Sequence, residues 1–132
     1  MPHTITLALD LPARPARLYS MYLNPKTHAA ITGAPVRIAA RVGARFEAFG
    51  GALSGRILDL VPNRLIVQSW RSTEFGRRDI DSTLILTFRA QGRGGRIELT
   101  HVNVAEGDFG GVSEGWPKYY FTPWRTYLVR RA

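Results

Sequence analysis

The residues best equipped for chemistry in this chain are three histidines, one close pair of carboxylates and a set of aromatic rings. His3, His28 and His101 lie far apart and lack the two-histidine helical spacing that grips a metal ion, so no metal site is expected. His101 shares a strand face with Ile97 and Leu99 and therefore points inward, where an imidazole needs a partner. Two roles stay open for it. It is either a core residue bonded to Tyr119, Tyr120 or a backbone carbonyl, or a polar anchor or general acid–base group inside a cavity. Asp79 and Asp81 follow Arg77 and Arg78 at the entry of a strand and read as a solvated cluster of ion pairs worth little energy. Ser54 sits in Leu-Ser-Gly on a strand, and no Gly-x-Ser-x-Gly elbow is present. Gly92-Arg93-Gly94-Gly95 joins two strands and opens no helix, so it cradles no phosphate. The absence of cysteine excludes disulfides, thiolate catalysis and Cys-based metal sites. No catalytic residue and no cofactor is assigned.

The scaffold for these residues is bounded by simple numbers. A chain of 132 residues is the size of one domain, here residues 1–132, and can bury one real core. The 45% hydrophobic and 21% charged composition is that of a globular protein. No stretch approaches the roughly 20 consecutive apolar residues of a membrane span, and Met1-Pro2-His3-Thr4 begins no secretory signal. A cytoplasmic protein with no membrane partner is expected. The net charge of +8 suggests nucleic acid at first sight. Nearly all the cations are arginines spread from Arg14 to Arg131, which reads as a solvated basic surface, and no nucleic-acid partner is expected.

The pattern along the chain predicts an α+β architecture. Ile5, Leu7 and Leu9 alternate with Thr4, Thr6 and Ala8 in a half-buried strand over 4–10. Pro15 opens a short helix whose face is Leu18, Met21 and Tyr22, and Asn24-Pro25 caps and opens a second that ends at Thr32-Gly33. Strands follow near 35–40, 45–49, 52–61, 64–71, 81–90 and 96–104, with turns at Val61-Pro62-Asn63-Arg64 and at 91–95. Serial strands with short links imply an antiparallel meander, one face of which must be covered. The cover is a helix expected to start near Ser113-Glu114, after a flexible link at 106–111. Its stripe is Trp116, Tyr120, Trp124 and Leu128. Pro123 predicts a kink or two segments meeting there.

Several segments are familiar in order and spacing. Asn24-Pro25-Lys26-Thr27-His28-Ala29-Ala30-Ile31-Thr32-Gly33 comes first, then Val42-Gly43-Ala44-Arg45-Phe46 with Gly50-Gly51-Ala52-Leu53-Ser54-Gly55. Leu60-Val61-Pro62, Val67-Gln68-Ser69-Trp70-Arg71, Leu99-Thr100-His101 and Gly115-Trp116-Pro117-Lys118-Tyr119-Tyr120 follow. Over about residues 4–129 the chain resembles the activators of heat-shock chaperone ATPase and their homologues, a family of the SRPBCC or START-like superfamily. Ala44 stands where that family usually has a second glycine, and Phe75-Gly76 where it commonly has Trp-Pro. In eukaryotic members this domain is the C-terminal part of a larger co-chaperone.

The resemblance implies a helix-grip fold: a curved antiparallel sheet of six to seven strands wrapped around a long C-terminal helix, with two short helices after the first strand. It also implies an internal cavity. Candidates for its lining are Phe46, Trp70, Leu86, Phe88, His101, Trp116, Tyr119 and Tyr120. The function expected is binding of an apolar small molecule in that cavity, or of a protein partner such as a heat-shock chaperone, by a monomer or homodimer. The alternative is an enzyme similar to a polyketide cyclase or hydrolase that uses His101.

Overall fold

The computed structural model describes residues 2–131. The first strand, β1 (His3–Leu11), is followed by two short helices, α1 (Pro15–Leu23) and α2 (Pro25–Thr32). Six more strands come next: β2 (Val36–Arg37), β3 (Arg45–Ala48), β4 (Leu53–Val61), β5 (Leu65–Ser72), β6 (Ser82–Gln91) and β7 (Gly94–Val104). They form one antiparallel sheet in the order β1-β7-β6-β5-β4-β3-β2. The sheet is curved and does not close. β1 and β2 are its two edges, and α1 and α2 carry the chain from one edge to the other.

Local chemistry sets the helix boundaries. Asn24 caps α2 by accepting the Lys26 N–H at 2.8 Å, and Pro25 fills the first turn, where no N–H is needed. Gly33 ends α2 in the left-handed region at φ 80°, and its N–H reaches the Ala29 carbonyl. The turn at 61–64 closes with the Arg64 N–H on the Val61 carbonyl at 2.9 Å, with Asn63 at φ 65°. The expected strand over 35–40 shrinks to Val36–Arg37, because Ile38 leaves the ladder to enter the core.

Strict alternation places every second residue of β5, β6 and β7 against the helix. Register then assembles rows across the sheet. One runs Ile57, Gln68, Leu84, His101 and Ile5, and the next carries Ile66, Leu86, Leu99 and Leu7. The first row brings two polar side chains, Gln68 and His101, into a fully buried layer. Gly55 allows β4 to pass close to β5, since a Cβ there would lie 1.9 Å from the Ser69 carbonyl oxygen.

The C-terminal helix starts earlier than expected, and beside Pro123 two segments meet, one of the two arrangements that the sequence allows. A 3-10 turn (Glu106–Asp108) leads directly into α3 (Phe109–Gly115), so the helix begins four residues before Ser113 and the segment at 106–111 is not a loose link. Its glycines are poor helix formers, but burial of Val112 and packing of Phe109 against the core hold the turn. Beyond α3 the chain widens into a π-helical turn, Trp116–Phe121, and then continues as α4 (Thr122–Arg130) with helical backbone throughout. The wide turn is marked by the Thr122 N–H reaching back five residues to the Pro117 carbonyl. Such a turn shifts the ladder by one residue and accommodates Pro123 without breaking the helix. It also turns both Tyr120 and Phe121 inward, beside Trp116 and Trp124.

Candidate functional site

Two sites converge on the π-helical turn: a dry polar layer beneath it and an open cleft beside it. In the dry layer, the Tyr22 backbone carbonyl lies 2.7 Å from His28 Nδ1. A carbonyl only accepts, so Nδ1 carries the proton and Nε2 is left to accept from the Tyr120 hydroxyl at 2.9 Å. His101 takes the opposite tautomer. The Trp116 indole N–H donates to Nδ1 at 3.2 Å, so Nε2–H donates to Ser82 Oγ at 2.8 Å, and the Ser82 hydroxyl donates to the Trp70 carbonyl at 2.7 Å.

Both imidazoles are held neutral by burial, and each keeps one ring nitrogen as an acceptor, as the neutral form does. Burial lowers each histidine's pKa from 6.5 to about 4; at His28 it outweighs the opposing pull of the Tyr22 carbonyl. Burial also raises the phenols of Tyr22 and Tyr120 above their ordinary value, and at Tyr22 the neighbouring Tyr120 adds to it. The Tyr22 hydroxyl donates to Gln68 Oε1 at 2.5 Å. Three buried N–H donors, on Gln68, Trp70 and Trp124, find no acceptor among the described residues.

The cleft lies between the α3–π segment on one side and the end of β5 with the 49–53 turn on the other. Its volume is about 470 Å³, within the range of small-molecule sites. Phe49, Leu53, Trp70, Trp116, Tyr119 and Tyr120 give it an apolar wall, and Ser72, Glu74 and Asp108 gather at one end. Phe49 meets Tyr119 edge to face at 5.6 Å, and Trp116 lies 5.0 Å from Tyr120. The Ser72 hydroxyl donates to Asp108 Oδ2 and accepts the Glu74 N–H.

Of the eight residues put forward from the sequence, Trp70, Trp116, Tyr119 and Tyr120 line the cleft. Phe46, Leu86, Phe88 and His101 do not: each is packed into the core. Phe88 sits edge-on to Tyr19 at 5.6 Å, and Phe46 lies 6.0 Å from His28. His101 is bonded to Trp116 and Ser82 rather than to either tyrosine or a carbonyl. Tyr119 is 47% exposed at the rim.

Phe49, Ser72, Glu74 and Asp108 also line the cleft, and they lie at strand ends and in links, where no periodic pattern marks them in the sequence. His28, which the sequence offers only as a metal ligand without partners, is bonded instead to Tyr120, 92 residues away. Asp79 and Asp81 are occupied in a loop. Asp79 accepts the Gly76 N–H at 2.7 Å, and Asp81 pairs with Arg71 at 3.1 Å. Among the described residues no cluster of three His, Asp or Glu could hold a metal ion, and no helix is long and apolar enough to cross a membrane.

Comparison with known proteins matches residues 12–128 to the family described as Activator of Hsp90 ATPase homolog 1-like protein. The human activator of 90 kDa heat shock protein ATPase homolog 1 is 28% identical over 117 residues, covering 89% of this chain and 34% of the human protein. The chain thus spans about a third of the length of the curated relatives it matches. An HSP90 activator from Plasmodium falciparum superposes with a TM-score of 0.86 at 19% identity, covering 95% of both chains. The Aha1 dimer from Colwellia psychrerythraea gives a TM-score of 0.81 at 14% identity, covering 96% of both. At these identities the two structures establish the shared fold.

Proposed function

Since the chain belongs to the Activator of Hsp90 ATPase homolog 1-like family, we propose that it works by binding rather than by catalysis, and that its cleft takes an apolar small molecule. The observation that carries this is the aromatic wall built by Phe49, Trp70, Trp116, Tyr119 and Tyr120 around a space of about 470 Å³. An enzyme using His101 has less support. Its two ring nitrogens are committed to Trp116 and Ser82, and the ring lies outside the cleft lining.

A second reading, favoured by the family membership, is a heat-shock chaperone partner. The contact would use the exposed sheet face and basic loops against an acidic patch. The relatives named as chaperone activators support a cytoplasmic location, and, of monomer and homodimer, the Colwellia dimer supports the homodimer. Neither reading gives nucleic acid or a membrane a role.

The test is a block of the cleft. Gly115 lines it from within a helix, and a Cβ there meets only the Tyr119 ring, at 3.5 Å. Gly115→Leu should fill the space while stabilising the helix by about 1 kcal/mol. Fluorescence titration with the neutral probe N-phenyl-1-naphthylamine should show affinity falling at least about tenfold in this variant. Equal affinity in both proteins would sink the reading.

A further inference from the structure

The cleft differs from the rest of the molecule in charge. The chain carries 18 Lys and Arg against 10 acids, yet the cleft walls include Glu74 and Asp108 and no lysine, arginine or histidine. Asp10, Glu47, Asp81 and Glu98 each have an arginine at 3.9 Å or closer. Glu74 and Asp108 are in no ion pair among the described residues. Asp108 is partly buried, and its Oδ2 accepts from Ser72. The Glu74 side chain is exposed at the mouth, where its main-chain N–H donates to Ser72 Oγ.

The walls add to this sign. Phe49, Trp116, Tyr119 and Tyr120 form a connected set of rings with centroids 5.0 to 6.4 Å apart. Aromatic faces are negative, and they attract cations. Tyr119 already displays this: Lys118 Nζ sits over its ring, 5.1 Å from the centroid. Two uncompensated carboxylates at one end of an aromatic cleft disfavour a carboxylate or phosphate ligand, which would meet like charge. Exposed charges farther away than about 10 Å are screened at 0.1 M salt, so the groups at the cleft count for more than the net charge of the chain.

We propose that the ligand of this cleft is an organic cation, an ammonium or similar positive group on an aromatic or alkyl body. The apolar body lies among the rings and the positive group faces Glu74 and Asp108. This rests on the reading of the cleft as the binding site and names the ligand class for it.

Three probes with one body test it: 1-naphthylmethylammonium, 1-naphthalenemethanol and 1-naphthoate, titrated by calorimetry at 0.1 M salt. The ammonium should bind about tenfold more tightly than the alcohol, and the carboxylate most weakly. In the Glu74→Gln, Asp108→Asn double variant the ammonium and the alcohol should converge. If Asp108→Asn disturbs the helix start, Glu74→Gln alone, on an exposed side chain, should narrow the gap. An alcohol that binds as well as the ammonium, or a carboxylate that binds best, overturns the cation assignment and leaves the cleft as a binding site. Failure of all three probes to bind overturns both.

Discussion

The layer beneath the π-helical turn and the cleft beside it are built from shared residues, yet they differ in kind. Trp116 and Tyr120 donate their polar atoms inward to His101 and His28, and show their rings to the cleft. Below them, the histidine nitrogens are all bonded and both rings are held neutral. Beside them, Glu74 and Asp108 are in no ion pair among the described residues, around a space of about 470 Å³. The polar interior is therefore the mounting for the walls, and the cleft is where a ligand can act. The contrast teaches that a buried titratable group is not by itself a functional one. The geometry of its partners decides.

The comparison breaks most visibly if a histidine is removed. His101→Ala leaves the buried Trp116 N–H without its acceptor and opens a cavity, so unfolding free energy should fall by about 3 kcal/mol in denaturant titration. Affinity for a neutral cleft ligand should fall far less than stability.

Acid should have the next largest effect. Both histidines have a folded pKa of about 4 against an ordinary value of 6.5, so the unfolded chain binds more protons between these limits. Stability is fully present above pH 6.5 and is lost as pH falls toward 4. Near pH 5 the slope of stability with pH should correspond to about two protons taken up on unfolding, and to about one in His101→Ala. A stability curve flat from pH 7 to 4.5 would refute the neutral, bonded histidines.

Smaller effects sharpen the boundary. Tyr120→Phe removes the donor to His28 Nε2 and should cost about 1 kcal/mol while keeping the aromatic wall. Glu74→Gln, exposed and unpaired, should change stability by less than about 0.5 kcal/mol in thermal unfolding.

The two regions were not equally legible in the sequence. Alternation in β6 and β7 and the Asn24-Pro25 cap are local rules, and the structure obeys them. The C-terminal helix was harder: Gly107, Gly110 and Gly111 read as a link, but packing of Phe109 and Val112 overrides their propensity. The π-helical turn followed from no local signal, since a stripe at every fourth residue fits an ordinary helix as well. Alternation said that His101, Leu86 and Phe88 point inward, and they do. It could not say where the interior is filled and where it leaves room. That depends on the approach of the 49–53 turn and Asp108 to the end of β5, contacts between residues far apart in the chain.

The central claim, that the cleft binds while the layer beneath it holds, meets its most direct test in the three tryptophan indole resonances. Trp70 and Trp116 line the cleft, and Trp124 is buried in the core and is not part of the lining. Titration of labelled protein with N-phenyl-1-naphthylamine, followed by proton–nitrogen correlation spectra, should shift the Trp70 and Trp116 indole peaks and leave Trp124 in place. No shift at saturating probe, or a shift at Trp124 alone, would contradict the account.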